Sequence, residues 1–390
     1  MRILLLPTPD LEYESGSTLF AAQLMQRLER RGHDVDVIAK TRPSVDPSVD
    51  GRVSITTLPD IPDYPLRTDA EIDSNTVLRG VCSILDVICG MSGEGRPDRI
   101  HAFYAGYTAQ AALIAKWQLR AELIVSTFGR DLTQDIYEHP DLGPPARAIF
   151  AAADMVTVPS EEMGHLATEL YGVDPTRIAI LKPFVDLSAF RAVCARRSQR
   201  VGDSKGRVRL LIVQSAFNVS KGLEAALEAV AVAYRACPSI SLTVVGQDDS
   251  PDRRRTRDIE KVLQRLEVPD GVIVFVGSVP NAALPDVLAD HDVFLDARSS
   301  GSFSSSLLEA SVSGLVSVVT NIGENREMLI EGTSGELVPV GDIRAFAAAI
   351  VRVVKGLVHY RRGARLSSPT IAERYDPALL NQMLDGVYRD

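Results

Sequence analysis

Short runs of β-branched and leucine-rich residues, apolar on both faces, alternate along almost the whole chain with stretches whose apolar residues recur at helical spacing. In the first half "RILLL", "DVDVIA", "RVSITTL", "RIHAF", "ELIVST", "MVTVP" and "RIAILK" read as strands, with Leu19–Arg31 and Ala109–Leu119 among the helical stretches between them. The pattern restarts with "VRLLIVQ", "SLTVVG", "VIVFVG", "DVFLDA", "LVSVV" and "GELVPV". Strands that are apolar on both faces belong in parallel sheets covered by helices. The chain is therefore expected to form two doubly wound α/β domains. Between them "LSAFRAVCARRSQRVGDSKGRV" is polar, lacks a strand run and ends in Gly and Ser, as a linker does. The expected boundaries are a first domain at 1–187, a linker at 188–207, a second domain at 208–365, and a closing helix at 366–390 that packs back toward the first domain.

A length of 390 residues also favours two domains over one core. The net charge of -9 argues against nucleic acid as a partner, because phosphate binding needs a surplus of Lys and Arg. The basic runs "DRRRTRD" and "RRSQR" read as solvated surface. Cys82, Cys89, Cys194 and Cys237 form no CxxC and no metal-binding spacing, and read as buried free thiols of a reducing compartment. The apolar run near the N-terminus is too short for a signal peptide, and no window reaches the length of a membrane span. The expected location is cytoplasmic, with peripheral membrane contact left open. "DVD" at Asp34–Asp36 could pass for a metal-binding motif, but it lies in an expected strand and reads as strand entrance; no metal is expected.

In doubly wound sheets, ligands bind outside the carboxyl ends of the strands, and a cleft between two such domains would bring two substrates together. Four turns stand out. "QSAFNVSKGLEAAL" places Lys221 where a helix is expected to begin, a suitable clamp for phosphate or diphosphate. "SSGSFSSSLLEAS" opens a helix with serines from Gly301 through Phe303, Ser304 and Ser305, and its only charge is Glu309. Free N–H groups at that start could surround an anion, while Glu309, about one turn inside, could accept from a diol. The alternative is that Ser304 or Ser305 only caps the helix. In the first domain Gly16 and Gly129 follow strand ends and would let backbone approach a ligand.

The order and spacing of these segments resemble the retaining glycosyltransferases of the GT-B fold, family 4, across nearly the whole chain. The resemblance rests on "GSTLFAAQLMQRLERRGHDVDVIA", "TVPSEEMGHLATELYGVDPTRIAILKPFVDLSAF", "SKGLEAALEAVAVAYRACPSISLTVVGQ", "VIVFVGSVPNAALPDVLADHDVFLDA" and "SFSSSLLEASVSGLVSVVTNIGENREMLIEGTSGELVPVGD". It implies two Rossmann-like domains facing across a cleft. It implies a nucleotide-diphosphate sugar as donor substrate, a small-molecule or glycan acceptor, no metal and no further cofactor. By the same resemblance Lys221 holds the diphosphate, Glu309 the ribose, and the loop at Gly277 and Ser278 the base. Gly16, Phe128, Gly129 and Asp131 border the sugar and acceptor.

Three polar groups usual in the family are missing. Ala216 stands where an arginine precedes the lysine by five residues, Gly301 stands for the first of two glutamates, and Phe128 for a histidine. Arg130 and Arg298 lie near the vacated places in sequence. Phe128 and Gly301 point to a less polar sugar pocket, for a deoxy or amino sugar. The expected activity is sugar transfer with retention of configuration. The alternatives are a non-catalytic scaffold of the same fold and a sugar-nucleotide epimerase, for which His101 would be an acid/base candidate. Base, sugar, acceptor and oligomeric state are not readable from the sequence.

Overall fold

Each of the thirteen runs read as a strand forms one. The computed structural model describes the chain except for residues 8–9, 13–15, 44–46, 63–73, 92, 130, 133–142, 184, 200–206, 218, 249–251, 302 and 389–390. Among the described residues, β1 (Arg2–Leu6), β2 (Asp34–Ala39), β3 (Val53–Thr57), β4 (Arg99–Phe103), β5 (Glu122–Ser126), β6 (Met155–Val158) and β7 (Ile178–Ile180) make one sheet. Its order is β3-β2-β1-β4-β5-β6-β7, and every pairing is parallel. A second sheet contains β8 (Val208–Val213), β9 (Ile240–Val245), β10 (Ile273–Gly277), β11 (Val293–Asp296), β12 (Val316–Thr320) and β13 (Gly335–Val338). Its order is β10-β9-β8-β11-β12-β13, again all parallel.

The two-sided apolar character of the strands explains both sheets. In the first, Ile3 to Leu6 of β1 are all fully buried, and the helix Gly16–Arg30 lays Phe20, Leu24 and Leu28 against the same core. Full burial of a side chain of this size is worth about 1.5–3 kcal/mol. In the second sheet Leu210 and Ile212 enter one core while Leu211, between them, enters another on the opposite face. Both sheets reverse their winding, between β1 and β4 and between β8 and β11, and that reversal is where strand-end loops diverge and leave room for a ligand.

The chain divides into two compact units, Met1–Phe184 with Pro377–Asp390, and Val185–Asp376. Two expected boundaries change. The expected linker 188–207 is a helix over Ser188–Gln199 within the second unit, with Leu187, Phe190 and Val193 buried. Those three apolar residues repeat at helical spacing, and interspersed arginines had masked the face. Arg197 of the "RRSQR" run is not solvated surface either; its Nη1 donates to the carbonyls of Leu288 (3.2 Å) and Ala289 (3.1 Å). The closing helix expected over 366–390 is two helices: Leu357–Glu373 in the second unit and Pro377–Val387 in the first. Pro377 starts the second of them, a position where its missing N–H costs nothing.

Helix Ser74–Cys89 turns Val81, Ile84 and Ile88 inward, which leaves Cys82 and Cys89 exposed, against the expectation of buried thiols; Cys237 is buried and Cys194 partly so. The "DVD" aspartates form ion pairs, Asp36 with Arg2 (2.5 Å) and Asp34 with Arg52 (3.4 Å). No described helix is long and apolar enough to cross a membrane.

Candidate functional site

In the second unit the loop leaving β8 folds back on itself. Gln214 Nε2 donates to the Lys221 carbonyl (3.0 Å), and Lys221 Nζ to Ser215 Oγ (3.0 Å). Lys221 closes a short 3-10 turn, Val219–Lys221, and does not begin the helix: Leu223 does, with Gly222 as its N-cap. Gly222 has φ +65°, and a Cβ there would stand 2.0 Å from the Ala297 carbonyl oxygen, so the lysine turn fits against the end of β11 only because this residue is glycine.

The loop leaving β11 is tied on both sides. The Ser299 N–H donates to the Ser220 carbonyl (2.8 Å), joining it to the lysine turn, and Thr320 Oγ1 donates to the Arg298 carbonyl (2.7 Å). Asp296, the last residue of β11, forms a two-pronged ion pair with Arg298, Nε to Oδ1 at 3.0 Å and Nη2 to Oδ2 at 2.8 Å. Arg298 also donates from Nη1 to the Phe303 carbonyl (3.0 Å) and from Nη2 to Ser304 Oγ (2.8 Å). Arginine's planar fork suits it to bind several acceptors at once.

Ser304 is the N-cap of the helix Ser305–Val312, its Oγ accepting from the Leu307 N–H (3.2 Å) while its hydroxyl donates to Asp296 Oδ2 (3.0 Å). With the Arg298 bond, its two lone pairs and its proton are all used within the fold. The expectation that Ser304 faces a ligand is therefore corrected in favour of capping. Ser305, the first residue of the helix, is half-buried. Phe303 packs its ring on Tyr375, with centroids 5.8 Å apart. Gly301 adopts φ +111°, beyond the reach of most side chains.

Glu309 lies one turn into this helix and is 5% exposed. Among the described residues its carboxyl has no hydrogen-bond partner, and burial pushes its pKa up to about 8. An ionisable group kept buried and unpaired costs stability unless something else completes it. Gly277 (φ +77°) ends the edge strand β10, two strands from β8, and Ser278 follows it; both are exposed.

The remaining expected residues lie in the first unit. Gly16 begins the helix after β1, and among the described residues a Cβ there would meet nothing within 4 Å. Phe128, half-buried, packs on Phe20 (5.4 Å), Phe103 (5.3 Å) and Tyr104 (4.9 Å). Asp131 is buried and accepts from Thr127 Oγ1 (2.5 Å), the Phe128 N–H (3.3 Å) and the Ala105 N–H (3.1 Å). Its carboxylate thus shapes the turn that carries Phe128 and Gly129. Arg130 lies outside the described residues. His101 is fully buried, bonded through Nδ1 to Tyr388 Oη and through Nε2 to Ser126 Oγ (2.6 Å), and burial lowers its pKa to about 3.

Sequence reasoning did not anticipate Asp296 or the fork that it forms with Arg298. The available signal was an aspartate ending an otherwise apolar strand with an arginine two residues on.

A family model described as "Glycosyl transferases group 1" matches residues 207–356, and one described as "Glycosyl transferase 4-like domain" matches residues 15–183. The chain is 24% identical over 370 residues to a D-inositol 3-phosphate glycosyltransferase of Thermomonospora curvata, covering 89% of this chain and 84% of that one. It is 25% identical over 297 residues to the N-acetyl-alpha-D-glucosaminyl L-malate synthase of Bacillus anthracis, covering 75% and 74%. In fold it is similar to sucrose-phosphate synthase from Thermosynechococcus elongatus, with TM-score 0.81, 18% identity, and coverage of 100% of this chain and 98% of that one. It is likewise similar to Anabaena HepE in complex with UDP-glucose, with TM-score 0.73, 15% identity and 99% coverage of both chains.

Proposed function

The chain belongs to the group 1 glycosyltransferases of family 4, enzymes of the GT-B fold, and from that premise we propose that it moves a sugar from a nucleotide-diphosphate donor to a hydroxyl or amine of a small-molecule or glycan acceptor, with retention of configuration. Glu309 carries this reading. A buried carboxyl without a hydrogen-bond partner among the described residues, in the helix that the serine turn opens, suits a ligand that brings two hydroxyl donors, as a ribose does.

In the proposed reaction the bond between the anomeric carbon and the diphosphate oxygen breaks. The acceptor atom bonds to the same face, and its proton passes to the departing phosphate. Negative charge grows on that phosphate, and Lys221 together with the N–H groups at Ser305 is assigned to stabilise it. The loop at Gly277 and Ser278 is assigned to the base. The Gly16 turn and the turn that Asp131 holds are assigned to the acceptor side. The HepE complexes with UDP and UDP-glucose make UDP sugars the first donors to try. Relatives named for D-inositol 3-phosphate and L-malate make small hydroxylated anions the first acceptors.

The test is thermal unfolding against UDP, GDP, ADP, TDP and CDP, for the wild type, Lys221→Ala and Glu309→Gln. A ligand at about 100 times its dissociation constant stabilises by about 2.7 kcal/mol. One nucleotide should raise the melting temperature of the wild type, and raise that of each variant by less. No shift with any nucleotide would overturn the donor site. NMR of the product anomer then checks retention.

A further inference from the structure

The guanidinium of Arg298 is committed to the protein through Nε and Nη2, which bond Asp296 and Ser304. Nη1 carries two N–H groups, and among the described residues it bonds only the Phe303 carbonyl. Nη1 is also the atom nearest to where a side chain at Gly301 would begin, 3.7 Å from the Cβ position. Gly301 has no such side chain to cover it. The Arg298 side chain is 16% exposed.

Asp296 balances the charge of Arg298, so what the pair offers is a fixed, charge-assisted N–H and not a mobile cation. The same loop is bonded to Ser220, next to Lys221. Resting on the donor reading above, we infer that Arg298 is a specificity-determining residue whose Nη1, uncovered at Gly301, binds an anionic group of the ligand, either a phosphate or a carboxylate on the transferred sugar. A guanidinium N–H held rigid, on a loop bonded to the turn that carries Lys221, favours an oxyanion.

The experiment is titration calorimetry of the wild type, Arg298→Gln and Arg298→Lys with UDP, uridine, UDP-glucose and UDP-glucuronate, or the matching set if another base binds. If the diphosphate is the anion, Arg298→Gln weakens UDP at least tenfold and leaves uridine within twofold. If a sugar carboxylate is, UDP is unchanged and UDP-glucuronate loses its advantage over UDP-glucose. Arg298→Lys rescues neither, since an ammonium lacks the planar fork that grips both Asp296 oxygens while reaching Phe303 and Ser304. Equal weakening of uridine and UDP would reduce Arg298 to shaping the loop and overturn the inference, as would unchanged affinity for all four ligands. A wild type that binds none of the five nucleoside diphosphates would remove the donor reading itself, a result distinct from either.

Discussion

His101 in β4 bonds through Nδ1 to the hydroxyl of Tyr388, a residue 287 positions further along the chain. The imidazole is fully buried between Tyr388 and Ser126, and Ser126 is bonded in turn to Thr157 Oγ1 (2.5 Å). Such a network is stable only while every member is satisfied. Tyr388→Phe would leave the His101 ring nitrogen bare, at a cost of about 1–3 kcal/mol. Chemical denaturation should show that loss at neutral pH.

Acid should weaken the fold in two windows. The pKa of His101 is lowered from 6.5 to about 3, so its contribution is complete above pH 6.5 and disappears as pH falls toward 3. Glu29 is lowered from 4.5 to about 2 by the N–H groups of Val49, Arg52 and Asp50 and by the Ser48 hydroxyl, although burial opposes them, and its contribution fades between pH 4.5 and 2. Glu29→Gln should cost about 2 kcal/mol at pH 7 and flatten the lower window in a melting-temperature profile. A profile unchanged in the variant would remove Glu29 from that role.

Glu309 should behave in the opposite sense. Its folded pKa of about 8 lies above the ordinary 4.5, so the ligand-free fold loses stability as pH rises through that interval. Glu309→Gln should therefore raise stability at pH 8 by roughly 1–3 kcal/mol while weakening nucleotide binding severalfold. If the bound ribose needs the carboxylate, binding at pH 7 releases protons, and titrations in two buffers of different ionisation enthalpy would measure them.

Gly222→Ala would drive a methyl group into the Ala297 carbonyl from a left-handed backbone. A loss of at least about 1–3 kcal/mol is expected. Nucleotide affinity should fall further than in a surface control of equal stability, because the displaced turn is the one that carries Lys221. Affinity that merely tracked stability would separate the turn from the site.

The sheets were legible because parallel strands covered by helices are rich in β-branched and leucine residues, which marked all thirteen, although β2 and β3 alternate apolar with polar residues. The helix Ser188–Gln199 was not, because its buried face is three residues wide and Arg197 turns inward to carbonyls that no local pattern reveals. In the candidate site, Lys221 and Glu309 were proposed from spacing and resemblance. The commitment of Ser304 to Asp296 and Arg298 depends on how two loops fold onto each other, and a serine that caps reads the same in sequence as one that faces a ligand.

The return of the helix Pro377–Val387 to the first unit has a consequence for biosynthesis. Leu380, Leu384, Val387 and Tyr388 complete the core that β1 begins, yet they leave the ribosome only after all of Val185–Asp376. At ordinary elongation rates the first sheet waits on the order of ten seconds with that side uncovered. The second unit, continuous in the chain, has no such wait. A nascent chain stalled before Pro377 would thus hold one finished unit and one still missing part of its core, and chaperones that recognise apolar surface would find it on the part of the protein made first.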